Sequence, residues 1–164
     1  MEVYLIRHGI AEERQDGLDH PERQLTKEGR KKTEKVAQRL KELQIGFDLV
    51  LTSPYARAQQ TAQILTQVGL CPNVEICEYL APDGNFGQWL ENWWQRQEFG
   101  DNWRLALVGH EPDLSRWTEI LVWGETKDHI VLKKAGMIGV EVPTTGSPVG
   151  RSQMFWLTPP RLLL

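Results

Sequence analysis

Three short apolar runs in this chain each end on residues suited to handling phosphate. Val3-Tyr4-Leu5-Ile6 runs into Arg7-His8-Gly9. Asp48-Leu49-Val50-Leu51 runs into Thr52-Ser53-Pro54, with Arg57 just beyond. Leu105-Ala106-Leu107-Val108 runs into Gly109-His110-Glu111-Pro112. Arginine offers a planar, permanently charged fork of donors that matches phosphoryl oxygens. Imidazole, with an ordinary pKa of about 6.5, is a nucleophile when neutral. On this reading Arg7 and Arg57 disfavour the imidazolium form and keep His8 neutral. His110 hydrogen-bonds the transferring oxygens, and Gly9 clears space for phosphate to approach the backbone. The attacking nitrogen of His8 faces forward only if its other N–H finds an acceptor, for which a backbone carbonyl serves. Each element alone has a plainer reading: a lone histidine at a strand end is usually structural, and Arg57 alone is a solvated helix residue. Their common placement behind buried strands is what argues for chemistry.

The elements that must position these residues alternate between strand and helix, so the expected fold is a single α/β domain over residues 1–164. Continuous apolar runs are typical of strands buried on both faces. The expected architecture is three-layered: a mostly parallel central sheet, helices on both faces, and an antiparallel hairpin at one edge. Thr26 caps a first helix whose stripe is Thr33, Val36, Ala37, Leu40 and Leu43, ended by Gly46. Ser53-Pro54 supplies an N-cap and first-turn proline for a second helix that stops at Gly69. Val74 to Cys77 is a third strand, and Phe86, Trp89, Leu90, Trp93 and Trp94 mark a third helix. Pro112 opens a fourth helix with Leu114, Trp117 and Leu121 inward. Met137 to Val142 and Gln153 to Leu157 form the hairpin. Most of the seven tryptophans fall at helical spacing beside aliphatic residues, which reads as core.

Composition removes several function classes. With 40% hydrophobic and 25% charged residues and a net charge of −3, the chain is an ordinary globular protein without the basic face a nucleic-acid binder needs. No run is long enough to span a membrane, and the first residues lack a basic leader and small-residue cleavage site, so a cytoplasmic protein is expected. Cys71 and Cys77 read as two free thiols. Four histidines occur without His-x-His or His-Glu-x-x-His spacing, so neither a metal nor another cofactor is expected. His20 and His129 default to the surface, and the alternating charges from Lys27 to Lys41 to the solvated face of the first helix.

A proton donor is harder to find. Asp19, Glu22, Glu78 and Asp83 lie in loops where an acid could stand, and each is more simply a solvated carboxylate. Arg23 supports the site from the same loop, by salt-bridging rather than by touching phosphate.

These residues resemble the histidine phosphatase superfamily. Its signature is Arg-His-Gly after the first strand, a second arginine in a Ser-Pro-x-x-Arg-Ala-x-x-Thr stretch, and a later Gly-His. Here they are Arg7-His8-Gly9, Ser53 to Thr61, and Gly109-His110. Within it the chain is similar to the small SixA-type phosphohistidine phosphatases, through Arg7-His8-Gly9-x-Ala11, Arg23-Gln24-Leu25-Thr26-x-x-Gly29 and Trp156-Leu157-Thr158-Pro159. The resemblance implies a phosphoglycerate-mutase-like fold. It implies metal-free transfer through phospho-His8, with Arg7, Arg57 and His110 around the phosphate, and a phosphohistidine protein, such as a phosphotransfer domain, as partner. The alternatives are a broad small-molecule phosphomonoesterase on the same site and a non-catalytic phospho-binding module. Two departures stand out. Gln24 replaces the proline usual in this branch, and the long helical insertion of mutase-like members is missing, which leaves the pocket open.

Overall fold

The computed structural model describes residues 1–164. Six strands form one sheet: β1 (Glu2–Arg7), β2 (Leu49–Thr52), β3 (Val74–Ile76), β4 (Arg104–Gly109), β5 (Met137–Glu141) and β6 (Gln153–Thr158), in the order β3-β2-β4-β1-β5-β6. The first four run parallel; β5 is antiparallel to β1, and β6 to β5. The helices are α1 (Lys27–Glu42), α2 (Ala56–Val68), α3 (Phe86–Asn92) and α4 (Asp113–Trp123).

Strand alternation builds two cores. Val3, Leu5, Leu51, Leu105 and Leu107 face one side, where α3 and α4 cover them with Phe86, Trp89, Trp117 and Leu121. Tyr4, Ile6, Val50, Ala106 and Val108 face the other, under Val36, Ala37 and Leu40 of α1 and Ala58, Ala62 and Leu65 of α2. Three-layer packing therefore follows from strands apolar at every position. Most of the tryptophans do pack as core, Trp123 being exposed: Trp89 stacks on Trp93 at 5.8 Å and meets Trp117 at 5.2 Å. Trp94 is buried and Trp93 only half so.

Register is what brings the three strand ends together. Arg7 pairs with Gly109, and Thr52 with Val108. The next residues leave the sheet side by side: His8 N donates to Gly109 O at 3.1 Å, and Ser53 N to Val108 O at 2.9 Å. The central position of β4, between β1 and β2, is the geometric reason that segments far apart in the chain share one site.

Several helix ends differ from the sequence expectation. Thr26 caps α1 as expected, accepting from Gly29 N at 2.9 Å. Leu43, however, is exposed at the helix end, and the left-handed turn that releases the chain is taken by Gln44 (φ 58°) rather than Gly46. Helix α2 starts only at Ala56, and its N-cap position is Tyr55, not Ser53. Helix α3 stops at Asn92, and Trp94–Arg96 form a separate 3-10 turn.

The segment between α4 and β5 is pinned by Glu119. Its fully buried carboxylate accepts the N–H groups of Lys127, Asp128, His129 and Ile130. Burial alone would raise its pKa, but these four donors hold it below the ordinary value. The anchored segment leads to Leu132, whose carbonyl receives Arg7 at 2.9 Å.

Candidate active site

Beyond the carboxyl ends of β1, β2 and β4 lies a cleft of about 700 Å³, with Arg7, His8, Arg57 and His110 in its lining. Except for Arg7, these residues are almost wholly buried: 6% exposed for His8, 2% for Arg57 and 3% for His110.

The tautomer of His8 is set from both sides. Nδ1 lies 2.7 Å from Gly9 O, a group that only accepts, so Nδ1 carries the proton. Arg57 Nε, which only donates, reaches Nε2 at 3.2 Å. Nε2 is therefore unprotonated, its lone pair held by Arg57 in the resting site. Burial drives the His8 pKa down to about 2; the bond to Gly9 opposes this, and the charges of His110, Arg57 and Arg7 add to it. The ring is neutral as expected, but desolvation contributes more than the arginines do.

His110 Nε2 sits 2.7 Å from Ser53 Oγ, which also accepts from Tyr55 N at 3.2 Å. The hydroxyl keeps a second lone pair and its proton, so it pairs with Nε2 in either tautomer of the ring. Its other ring nitrogen, Nδ1, is a buried atom without a partner. Burial, with Arg57 adding and Asp19 opposing, lowers the His110 pKa to about 3. Ser53 is thus the residue that orients His110 rather than the helix cap.

Arg57 is held from four directions. Besides His8 it donates to Asp19 Oδ2 at 2.9 Å and points at His20 O at 3.5 Å, while its guanidinium lies 5.0 Å over the Tyr55 ring. Arg23 grips the other oxygen of Asp19 at 2.7 Å, so its salt-bridging role holds, although it also lines the cleft. Burial pushes the Asp19 carboxyl up, but the Arg23 hydrogen bond and the charges of Arg57, Arg23 and Arg14 win and hold it below its ordinary value. Asp19 is an ionised anchor, not a proton donor. Glu22 and Glu78 are exposed and do not line the cleft; Asp83 does.

Gly9 needs reinterpretation. It does not line the cleft, and its N–H is taken by Thr61 Oγ1 at 3.0 Å. A Cβ there would come within 2.4 Å of Thr33 Oγ1, so glycine serves the close approach of α1 rather than of phosphate. Gly29 acts alike: its Cβ would stand 2.0 Å from Ile10 O. Thr61 donates in turn to Arg57 O at 2.8 Å, tying the His8 loop to the helix that carries Arg57. Gln24 uses a group that proline lacks, since its N–H donates to Glu12 Oε2 at 3.2 Å.

Among the lining residues missed from sequence are Glu12, Glu13 and Arg14 of the loop after β1, and Tyr55, Glu111, Asp113 and Lys134. Tyr55 and Glu111 lie inside or beside the motifs already singled out. Glu111 accepts from Ser115 N and Oγ at 2.9 and 2.6 Å and so caps α4. Asp113 is raised, chiefly by burial, with Asp83 and Glu111 adding. Lys134, lowered by burial and by Arg7, Arg23 and Arg57, gave no local signal because it reaches the cleft only through the fold.

A family model described as histidine phosphatase superfamily (branch 1) matches residues 3–119. This chain belongs to the histidine phosphatase superfamily. An uncharacterized protein from Picosynechococcus sp. is 42% identical over 165 residues, covering 100% of this chain and 99% of that protein. Among solved structures, the protein histidine phosphatase SixA complexed with tungstate matches with a TM-score of 0.83 at 24% identity over 100% of both chains. The alpha-ribazole phosphatase of Shigella flexneri gives 0.69 at 20% identity, covering 98% of this chain and 97% of that one. A phosphoserine phosphatase of Entamoeba histolytica gives 0.65 at 18%, covering 99% of each. These structural matches establish the phosphoglycerate-mutase-like fold.

The buried neutral histidines carry a pH consequence. Folding keeps His8 and His110 unprotonated, whereas the unfolded chain binds protons below about pH 6.5. Their contribution to stability is complete above that value and is lost as pH falls towards 2–3. At pH 5 the loss is about 2 kcal/mol for each ring. Urea unfolding at pH 7 and pH 5 checks this: His8→Asn, which removes one titrating ring, should shrink the stability difference by about 2 kcal/mol. An undiminished difference would contradict it.

Proposed function

We propose that this phosphatase removes the phosphoryl group from phosphohistidine on a protein, through a phospho-His8 intermediate. The observation that carries the reading is the unprotonated Nε2 of His8, in a cleft it shares with Arg7, Arg57 and His110, with Arg57 Nε on its lone pair. Nε2 attacks phosphorus in line and the P–N bond of the substrate breaks, its electron pair leaving with the substrate imidazole. Arg57 Nε then passes from Nε2 to a phosphoryl oxygen as the new bond consumes the lone pair. Arg7, Arg57 and His110, which line the cleft, stabilise the charge on the equatorial oxygens. Water next attacks phospho-His8 and releases inorganic phosphate.

The leaving group favours a phosphoramidate. An alkoxide needs a proton, a contribution of about 10²–10⁴-fold. Yet the carboxylate on Arg57, Asp19, is held ionised, and both oxygens of Glu111 are committed as acceptors. A departing imidazole is far less demanding. One observation supports a second reading, a general phosphomonoesterase: Asp113 lines the cleft with its carboxyl raised by burial.

The test is brief exposure to a ³²P-labelled phosphohistidine protein, followed by acid or base quench and peptide mapping. Base-stable, acid-labile label on His8, with faster turnover of phosphohistidine than of sugar phosphates, is expected. Faster ester hydrolysis that collapses in Asp113→Asn would establish the second reading instead. The absence of covalent label together with retained phosphate binding would make the protein a phospho-binding module.

A further inference from the structure

Beside the cleft runs a second depression of about 910 Å³, between the segment Val131 to Lys134 and the chain leaving β6. Arg7 and Lys134 line both, so the two are contiguous. Its other cations are Lys32, Lys133 and Arg161, and none of the residues lining it is acidic. That is unexpected in a chain of net charge −3. None of the ion pairs in the structure uses Lys32, Lys133, Lys134 or Arg161. Between the cations lie exposed apolar side chains, Val131 at 64% and Leu157 at 43%.

We infer that this groove docks an acidic, amphipathic helical face of the protein that carries the phosphohistidine. The inference rests on the proposed substrate class and names the chemistry of its carrier. Two features on the groove call for that partner. Unpaired cations without an acidic counterweight attract a surface of opposite sign and steer its approach. An apolar strip between them accepts the nonpolar stripe of a helix. Contiguity through Arg7 and Lys134 places such a helix beside His8, so a histidine at its edge enters the cleft while the helix stays outside. The fold supports this at low cost: Arg7 ties the groove wall to the cleft through Leu132 O, and Glu119 pins the segment leading to that wall.

The experiment compares two substrates of the same His8. One is an acidic histidine phosphotransfer domain phosphorylated with phosphoramidate; the other is phosphoramidate itself, too small to touch the groove. In Lys133→Glu/Arg161→Glu, kcat/KM for the phosphoprotein should fall at least about tenfold while phosphoramidate turnover stays within about twofold. Raising salt from 50 to 500 mM should depress only the phosphoprotein reaction of the wild type, and Lys133→Arg should behave as wild type. Equal loss on both substrates, or no loss on the phosphoprotein, overturns the docking groove and leaves the phosphatase reading standing. If the wild type hydrolyses phosphoramidate but not the phosphoprotein, the proposed substrate class fails and the groove proposal fails with it. Charge-dependent binding to phosphatidylglycerol vesicles, with phosphoprotein turnover unaffected by the double variant, would reassign the groove to a lipid surface.

Discussion

Replacing His8 with alanine should lower turnover of a phosphohistidine protein by about 10⁴-fold or more, since loss of a covalent nucleophile removes the reaction path itself. The magnitude follows from the surroundings of the ring. No other side chain in the cleft is placed as Nε2 is: Nε2 of His110 is engaged by Ser53 and its Nδ1 is buried, and Lys134 feels the charges of Arg7, Arg23 and Arg57. The alanine variant should still bind inorganic phosphate, because Arg7, Arg57 and His110 remain. Turnover, label at position 8 and phosphate affinity by titration calorimetry are the three readouts. Residual activity within tenfold of wild type would mean that water attacks the substrate directly and that His8 only positions it.

Arg57→Lys should be nearly as damaging, with kcat/KM falling about 10³-fold. Charge is conserved in this variant, so the loss measures geometry. Arg57 uses separate nitrogens for His8 Nε2 and Asp19 Oδ2, and its planar group lies over Tyr55. An ammonium can hold one of those positions. A lysine that stays on Asp19 abandons the nucleophile; one that turns to His8 frees a carboxylate beside the incoming phosphate. Steady-state kinetics with phosphoramidate isolates the chemical defect from docking. A loss of less than tenfold would show that simple charge suffices and that the fork is incidental.

How much of this was legible beforehand can be judged residue by residue. The convergence of Arg7, His8, Arg57 and His110 could be read because each lies at or within a few residues of the end of an apolar strand, and strand ends in parallel sheets share one edge. Arg23 was read correctly as a salt-bridging residue. Gly9 and Ser53 were misread for the same reason: a local pattern offered a sufficient explanation, close approach in one case and helix capping in the other. The actual partners, Thr33 and His110, are 24 and 57 positions away in the chain. Asp19 was placed among acid candidates because a loop carboxylate carries no mark of its protonation state. Only the convergence of Arg57 and Arg23 on its two oxygens makes it an anion. Lys134 and Asp113 were not singled out, since each is an ordinary surface residue until another element's charge or burial acts on it.

By itself the amino-acid order determined the α/β alternation, the two-sided burial of the strands and the family, since these depend on short-range periodicity and on motifs read in sequence. Tertiary structure alone decided the register that sets Arg7 against Gly109 and Val108 against Thr52, the meeting of His8 with Arg57 and of His110 with Ser53, and the burial that keeps both imidazoles neutral. The reason is physical: desolvation and partners such as Arg57 for His8, or Ser53 for His110, belong to atoms that meet in space from positions 49 and 57 residues apart.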